Sequence, residues 1–253
     1  MIRLDGRVAV VTGASRGIGA ALARSAATAG AKVVFSYLSG IAEAEALATD
    51  INADRPAAVA VAVQSDVRNP DDVQHLVGVA IDRFGRVDVA VSNAHKPYLP
   101  KAFIDTRWDE FQREIDTILR GAFNLAHACL PHMKAQGQGV IINVGSTMGL
   151  APRTSHSFYA TAKRALVGFT ECLALELGPL GIRVNIVAPG PLQTPHNDSF
   201  SAEQMAKLAS ETPLRRRLAT VDEVADAILM LATDDARAVT GAHLLASGGF
   251  GLA

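Results

Sequence analysis

Three side chains in the second half of the chain have the types and the spacing of an acid–base site. Tyr159 and Lys163 lie four positions apart in a segment with helical periodicity, so their side chains share one face of the predicted helix. A tyrosine with a pKa near ~10 is a poor acid or base at neutral pH, whereas an adjacent ammonium group favours the phenolate. We therefore expect Lys163 to lower the pKa of Tyr159 and make it a proton donor or acceptor. A lysine beside an exposed, inert tyrosine is the alternative.

The third side chain, Ser146, follows directly after an apolar segment that we predict to be a strand. Open α/β sheets carry their chemistry at the carboxyl ends of their strands. A hydroxyl group at that edge can hydrogen-bond a carbonyl oxygen as the oxygen gains negative charge. Ser146, Tyr159 and Lys163 together predict a site that polarises a carbonyl oxygen and exchanges a proton with it.

A glycine-rich loop, Thr12–Gly19 (TGASRGIG), follows the first apolar segment and opens the first predicted helix. Small residues let the backbone approach a pyrophosphate, and the start of the helix offers free N–H groups and the positive end of its dipole. Leu22 occupies the place of the last glycine in the commoner dinucleotide motif. We predict that the loop binds a dinucleotide, with a purely structural turn as the alternative.

The residues after the second predicted strand favour NADP(H) over NAD(H). NAD sites usually place an acid there to hold the ribose 2′-hydroxyl, whereas this chain has no carboxylate from the end of the predicted strand up to Glu43. Arg16, inside the glycine loop, can pair with a 2′-phosphate, because a guanidinium group binds phosphate through two hydrogen bonds. Tyr37 and Ser39 can add hydroxyl groups. An ordinary solvated arginine is the alternative for Arg16.

Short β-branched segments alternate along the chain with longer amphipathic segments. Strands that are apolar on both faces are typical of a buried parallel sheet, and each parallel connection needs a crossover, here helical. We therefore predict an α/β fold, with residues 1–253 forming a single domain whose doubly wound parallel sheet has helices on both faces. The predicted strands are Arg7–Thr12, Lys32–Ser36, Ala57–Gln64, Val87–Ser92, Gly139–Val144, Ile182–Ala188 and His243–Ala246, and the main helices are Gly17–Ala29, Ala42–Ile51, Pro70–Phe84, Trp108–Gln136, Tyr159–Leu177 and Val221–Ala232.

The segment at about 190–214 interrupts this alternation. Prolines flank a predicted short helix, Ala202–Ser210. A long excursion from a compact domain often covers a binding site. We expect a substrate lid here, with an ordinary surface loop as the alternative.

The composition excludes several classes of protein. Of the 253 residues, 49% are hydrophobic and 19% are charged, as in a globular domain. A net charge of −1 gives no electrostatic reason to bind nucleic acid or an anionic membrane, and the longest apolar run, Ala57–Val63, is too short to span one. We expect a cytoplasmic protein without a targeting segment, a disulfide framework or a catalytic metal.

In this order, the motifs resemble those of the short-chain dehydrogenases/reductases of the small, single-domain kind, and the resemblance covers essentially the whole chain. The overall pattern is most similar to that of the 3-oxoacyl-acyl-carrier-protein reductases. The resemblance implies a Rossmann-type sheet of about seven strands in the order 3-2-1-4-5-6-7, and usually a homotetramer, with a dimer also open. It is carried by Thr12–Gly19, Asp66-Val67, Ser92-Asn93-Ala94, Gly145-Ser146, Tyr159–Lys163, Asn185 with Pro189-Gly190, and Thr240-Gly241 with Gly248-Gly249.

The resemblance also implies roles for individual residues. Tyr159 would protonate the substrate oxygen as the nicotinamide delivers hydride, Lys163 would hold the nicotinamide ribose, and Ser146 would orient the carbonyl. The implied cofactor site comprises Gly13, Ser15, Arg16, Gly17, Ile18, Gly19, Tyr37, Ser39, Asp66, Val67, Asn93, Ala94, Tyr159, Lys163, Pro189, Gly190, Leu192 and Thr194.

Two positions depart from the family pattern beside the expected active site. His95 stands where the family usually has a glycine; we expect it to contact the substrate or the proton path, or else to be a tolerated bulky residue on the cleft wall. Ile118 stands where the family commonly has an asparagine that holds a proton-relaying water. Either the relay is re-routed, through Thr117 or His95, or the enzyme is slower.

The expected substrate pocket is apolar with a few cationic or titratable groups. His95, Met148, Arg153 and His156 would line it together with the lid. This mixture suits a medium-sized ketone, with an acidic group near Arg153 as one option. Carrier-protein reductases often have basic residues near the ends of the two long helices, and their absence here weakens a carrier-protein substrate without excluding it.

These observations predict an NADPH-dependent carbonyl reductase that acts on a ketone or a 3-oxoacyl thioester. The alternatives are an alcohol or sugar dehydrogenase that works oxidatively and a weakly active, cofactor-binding regulator. The partner would be a small-molecule carbonyl or alcohol substrate.

Overall fold

The computed structural model describes residues 2–53, 55–193 and 201–252. In this part of the chain, seven strands form one sheet in the order 3-2-1-4-5-6-7, and every neighbouring pair is parallel. The predicted doubly wound sheet and its strand order are confirmed. The strands are β1 (Val8–Val11), β2 (Lys32–Tyr37), β3 (Ala60–Gln64), β4 (Val89–Ser92), β5 (Gly139–Val144), β6 (Ile182–Pro189) and β7 (His243–Ala246).

Helices cover both faces of the sheet, and their ends agree with the predicted ends to within three residues, with one exception. The predicted helix from Trp108 to Gln136 is not continuous, because the five residues Asp116–Arg120 form a π-helical turn that divides it. The α-helices are α1 (Gly17–Thr28), α2 (Ile41–Asn52), α3 (Pro70–Phe84), α4 (Trp108–Ile115), α5 (Gly121–Gln136), α6 (Ser157–Leu177), α7 (Ala202–Glu211) and α8 (Val221–Ala232).

Local sequence explains why α3 begins and ends where it does. The side chain of Asn69 accepts a hydrogen bond from the N–H of Asp71, and Pro70 occupies the first helical position, where a missing N–H costs nothing. Gly85 ends the helix in the left-handed conformation, with a φ of 78°. The signals that made this helix predictable are therefore the ones that form it.

The core consists of two layers, one on each face of the sheet. Side chains alternate along a strand, so Val10 packs with α3 and α5 through Leu76 and Leu125, whereas Val11 packs with α1 and α8. All residues of β1 and β5 are buried. Covering both faces leaves the carboxyl edge of the sheet as the place where functional side chains can gather.

The predicted lid is described only in part, because residues 194–200 lie outside the described ranges. Leu192–Gln193 pairs with Ala219–Thr220 in a separate two-stranded ladder. Helix α7 packs through Leu208 against Leu218 and Phe250, near the C-terminus. Helix α7 confirms the predicted short helix, and its role as a lid stays a prediction.

No helix within the described ranges combines the length and apolar character needed to cross a bilayer.

Candidate active site

The fold brings the three predicted catalytic side chains together. Ser146 begins the loop after β5, and its Oγ accepts a hydrogen bond of 3.1 Å from the N–H of Met148, which is half-buried. Tyr159 and Lys163 lie one turn apart on α6, with the Lys163 Nζ 5.6 Å from the centre of the Tyr159 ring. The Ser146 hydroxyl is close enough to hydrogen-bond the phenol. This arrangement can polarise a carbonyl oxygen and give it a proton.

The electrostatics differ from what the sequence predicts. Burial raises the pKa of Tyr159 to about 12, although the hydrogen bond to Ser146 opposes the rise. The expectation that Lys163 gives Tyr159 a lowered pKa is therefore wrong for this geometry. Burial also lowers the pKa of Lys163 to about 8. The physical reason is shared: both groups are removed from water, and desolvation disfavours the charged form of each.

The glycine loop has the shape of a nucleotide cradle. Gly13 has a φ of 65°, and a Cβ atom there would lie 2.6 Å from the Cα of Ala94. A Cβ atom on Gly19 would lie 2.6 Å from the carbonyl oxygen of Gly13. Gly17, with a φ of 60°, faces open space, and Arg16 precedes α1 without capping its N–H groups. Bare backbone and free N–H groups at a helix start fit the pyrophosphate of a dinucleotide.

Asn93 holds this loop rather than projecting freely into the site. Its Nδ2 donates hydrogen bonds of 2.9 Å to the carbonyl oxygens of Thr12 and Gly13. The hydroxyl of Thr12 accepts hydrogen bonds in return from the N–H groups of Asn93 and Ala94, at 3.0 and 3.1 Å. The side chain of Asn93 thus ties the loop to the end of β4.

The corner expected to receive the 2′-phosphate has both cationic and acidic groups. Arg16 is exposed and makes no ion pair with any residue in the described ranges, and Ser39 is also exposed. The sequence predicts that Tyr37 offers a hydroxyl group to the 2′-phosphate, but its side chain packs in the core. A Cβ atom on Gly40 would lie 3.1 Å from the carboxylate of Glu43 and 3.5 Å from the Ser15 hydroxyl, so an acid does reach this corner.

The remaining predicted cofactor residues lie along the same edge. The carboxylate of Asp66 pairs with Arg68 at 2.6 Å, and this contact lowers the pKa of Asp66. Val67 packs against Gly121, where a Cβ atom would lie 2.9 Å from its side chain. Pro189 is buried at the end of β6. Ile18, Gly190 and Leu192 are half-buried, whereas Thr194 lies outside the described residues.

An aromatic cluster surrounds the phenol of Tyr159. The rings of His95 and Tyr98 lie 5.0 and 4.9 Å from its ring, centre to centre. The Tyr98 hydroxyl is 2.7 Å from Nδ1 of His156, so the predicted substrate residues His95 and His156 both contact Tyr98. The sequence reasoning missed Tyr98, whose hydroxyl contacts His156 and whose ring packs against the Tyr159 ring. Tyr98 comes three positions after His95, and that proximity was the available signal.

Arg153 lies farther out, at a surface groove of about 450 Å³ beside α7. Its guanidinium group is 3.3 Å from the carboxylate of Glu211 and 4.7 Å from the centre of the Phe250 ring. Lys207 also lines the groove. An acidic substrate group near Arg153 would therefore compete with Glu211.

A buried carboxylate, Glu114, is the main site residue that the sequence reasoning missed. Its Oε2 lies 3.3 Å from Nε2 of His95, and its side chain is 10% exposed. It precedes Ile118 by four positions, and Ile118 is itself buried at 2% exposure in an apolar cluster that Tyr159 contacts. Thr117, one of the two expected relay routes, instead donates its hydroxyl to the carbonyl of Arg113 at 2.8 Å. A glutamate one turn from Ile118 was the signal in the sequence.

Comparisons with known proteins agree with this geometry. A family model described as enoyl-(acyl carrier protein) reductase matches residues 13–251. A 3-oxoacyl-[acyl-carrier-protein] reductase from Synechocystis sp. is 37% identical over 250 residues, which cover 98% of each chain. An L-rhamnose 1-dehydrogenase (NAD(P)(+)) from Azotobacter vinelandii is 38% identical over 255 residues, again 98% of each chain.

Among solved structures, a 3-ketoacyl-(acyl-carrier-protein) reductase from Brucella melitensis complexed with NADH matches with a TM-score of 0.90 at 33% identity, covering 98% of this chain and 99% of that one. Sequence and fold thus agree over nearly the full length. The chain belongs to the short-chain dehydrogenases/reductases, a family of nicotinamide-dependent oxidoreductases that act on CH–OH and C=O groups.

Proposed function

We propose that the protein is an NADPH-dependent carbonyl reductase whose acid is Tyr159. The observation that carries the proposal is the meeting of Ser146, Tyr159 and Lys163 at the same sheet edge as the glycine loop. A hydroxyl group, a phenol and a buried ammonium around one cleft suit an oxygen that gains charge as its carbon is reduced.

When bound, the nicotinamide supplies or accepts the hydride. Ser146 hydrogen-bonds the carbonyl oxygen and fixes its direction, and Tyr159 gives that oxygen its proton. Lys163 would hold the nicotinamide ribose with its buried ammonium group. The high pKa of the free phenol keeps Tyr159 protonated before the reaction, as a general acid requires.

The preference for NADP(H) rests on Arg16. It is the exposed cation at the start of α1, where a 2′-phosphate would lie, and Ser39 offers a hydroxyl beside it. The carboxylate of Glu43 opposes this preference. A charge-assisted contact with phosphate is worth about 1.5–3 kcal/mol, which outweighs one partly screened acid.

The proposed substrate is a ketone or a 3-oxoacyl thioester. The Synechocystis relative and the Brucella melitensis structure are named as 3-oxoacyl and 3-ketoacyl reductases of the acyl carrier protein, which favours the thioester. A second candidate is oxidation of a sugar or alcohol, favoured by the L-rhamnose dehydrogenase relative and by hydroxyl-binding groups at Tyr98 and His156.

A substrate panel followed by NADPH absorbance tests the proposal. It includes 3-oxoacyl thioesters, simple ketones and, in the reverse direction, sugars and secondary alcohols, with Tyr159→Phe as the control. We expect carbonyl reduction that Tyr159→Phe abolishes, with NADPH binding retained. Cofactor binding without turnover of any substrate would instead support the weakly active regulator.

We further propose one domain over residues 1–253, with a substrate lid at 190–214, that assembles as a cytoplasmic homotetramer. Helices α5 and α6 expose the apolar side chains of Phe123 and Leu175, which a subunit interface would cover. Light scattering should give the mass of four chains, or of two, and a monomeric mass would contradict the assembly.

A further inference from the structure

We propose that His95 and Glu114 form a proton relay to Tyr159, in the place of the asparagine that the family commonly has at the position of Ile118. Within this pair, His95 carries the proton, and Glu114 is a positioning residue that acts through His95. The inference rests on the proposed carbonyl reduction.

The first observation is the cost of burying Glu114. Its side chain is 10% exposed on the inner face of α4. Its Oε2 has no hydrogen-bond partner among the described residues and faces Nε2 of His95 at 3.3 Å. Isolating a carboxylate from water is expensive unless a cation or a hydrogen-bond donor compensates. The imidazole of His95 is the group placed to do so, through an N–H group at Nε2.

The second observation is the position of the His95 ring between solvent and the phenol. Its side chain is 25% exposed, so solvent can reach it, and its ring centre lies 5.0 Å from that of Tyr159. A proton that the imidazole takes from solvent has to cross this separation to reach the phenolate. This distance can be covered by a rotation of the imidazole or through one solvent molecule.

The third observation is that the usual position offers no polar group. Ile118 packs with apolar residues of α5 and α6. The hydroxyl of Thr117 donates its hydrogen bond to the carbonyl oxygen of Arg113, one turn earlier. Among the described residues around Tyr159, His95 is the titratable group that combines solvent access with a buried acid. A relay that pairs a solvent-accessible group with a buried acid therefore begins at His95.

The charges around His95 suit reversible proton transfer. The groups that face it are Glu114 from α4, Tyr98 from its own loop, and Tyr159 and Lys163 from α6. Burial and the Lys163 charge lower the pKa of His95, and Glu114 opposes both. The imidazole is therefore mostly neutral near pH 7, so it can accept a proton and then release it instead of retaining it.

The proton balance is simple. During carbonyl reduction, the O–H bond of Tyr159 breaks and a new O–H bond forms on the substrate, while the carbon receives hydride. His95 takes a proton from solvent, and Glu114 stabilises the transient imidazolium that forms. The imidazolium then gives its proton to the phenolate and returns to the neutral imidazole. Each turnover consumes one solvent proton and one hydride, and the oxidative direction reverses each step.

Three variants of the full-length protein test the relay: His95→Gln, Glu114→Gln and Glu114→Asp. Asp109→Asn is the matched control, because it neutralises an exposed carboxylate on the same helix. For each variant we would measure the pH dependence of kcat and KM, the NADPH affinity, the melting temperature, and the NMR titration of His95, identified by its loss in His95→Gln.

We expect His95→Gln to lower kcat by about 10²-fold, the low end for removing a general acid or base, with KM and NADPH affinity nearly unchanged. Glu114→Gln should lower kcat about 10-fold and move the His95 titration to lower pH, because the imidazolium loses its counter-charge. Glu114→Asp should recover part of both effects, and Asp109→Asn should match the parent protein.

Parent-like kcat profiles in His95→Gln and Glu114→Gln, with melting temperatures unchanged, would overturn the relay while leaving the reductase intact. An unmoved His95 titration in Glu114→Gln would overturn the role of Glu114. Absence of turnover in the unmodified protein would overturn the proposed function, and the relay with it, which separates this failure from the other two.

Discussion

The ammonium group of Lys163 donates a 2.6 Å hydrogen bond to the carbonyl oxygen of Val144, the last residue of β5. The lysine side chain is therefore anchored to the end of β5, just before the loop that contains Ser146. This anchor fixes the ammonium beneath the Tyr159 ring and holds a cation in the protein interior, where burial lowers its pKa to about 8.

The first prediction concerns the stability cost of that buried cation. The folded pKa of Lys163 lies below its unfolded value of ~10.4, so the unfolded chain binds more protons between pH 8 and pH 10.4. The penalty is full below pH 8 and disappears as the pH rises past 10.4. Lys163→Met should therefore raise the free energy of unfolding at pH 7 by about 1–2 kcal/mol, after allowing ~1 kcal/mol for the lost hydrogen bond to Val144.

Urea unfolding of Lys163→Met and the parent protein at pH 7 and pH 10 measures this difference. The advantage of the variant should shrink at the higher pH, and its turnover should be lost. A variant that is less stable than the parent at pH 7 would show that the anchor outweighs the desolvation.

The second prediction concerns the hydroxyl of Ser146. Ser146→Ala should lower kcat by about 10²-fold, because a hydrogen bond to the developing oxyanion is lost. It also removes the hydrogen bond that opposes the high pKa of Tyr159. Ser157→Ala is the control, since the buried Ser157 hydroxyl has no hydrogen-bond partner in the described ranges. Steady-state kinetics at several pH values would contradict the role of Ser146 if both variants behaved alike.

The third prediction separates two glycines of the nucleotide loop. Gly13→Ala should lower the melting temperature strongly, because its Cβ atom would meet the backbone of Ala94 at 2.6 Å. Gly17→Ala should cost only about 1–2 kcal/mol of backbone strain, because its Cβ atom has space, yet it should abolish NADPH binding by filling the cradle. Thermal melting and NADPH fluorescence titration give both quantities. Retained cofactor affinity in Gly17→Ala would place the pyrophosphate elsewhere.

The fourth prediction concerns cofactor choice. Arg16→Ala should weaken NADPH binding by about 10- to 100-fold while NADH binding stays nearly constant, because only the 2′-phosphate is lost as a partner. Glu43→Gln should act in the opposite sense and favour NADPH further, since it removes the nearby negative charge. Dissociation constants for both cofactors in both variants test this pair. Equal losses of NADPH and NADH affinity in Arg16→Ala would refute the assigned role.

The fifth prediction concerns Ile118. Its side chain is buried at 2% exposure in an apolar cluster, so Ile118→Asn should lower the free energy of unfolding by about 2–4 kcal/mol. We expect no gain in kcat, because His95 and Glu114 already supply protons. A rate increase in the folded variant would mean that proton supply limits the parent enzyme.

The elements of the sheet and most helices were predictable because their signals are local. Asn69, Pro70 and Gly85 delimit α3 through caps that can be read directly from the sequence. The glycine loop follows β1 and the Tyr159–Lys163 pair lies on the helix after β5, so the topology brings both to the carboxyl edge of the sheet. Local signals of this kind depend on neighbouring residues and little on tertiary contacts.

What the sequence could not give depends on burial and on distant contacts. The direction of the Tyr159 pKa shift follows from desolvation, which spacing does not encode. Glu114 appears in a helix rich in charged residues, and its position one turn before Ile118 does not reveal that it is buried while Asp109 is exposed. Only the packing of α4 against α6 reveals that one of these carboxylates is buried beside His95.

The π-helical turn at Asp116–Arg120 sets the angular phase of α4 relative to α5. Such a turn holds one residue more than an α-helical turn, and each α-helical residue rotates the axis by ~100°. Deleting one residue there would restore a continuous helix and swing Glu114 about a quarter of a turn around the axis, away from His95. The catalytic edge therefore depends on the length of this segment, and a shortened chain would keep its helices while losing their alignment.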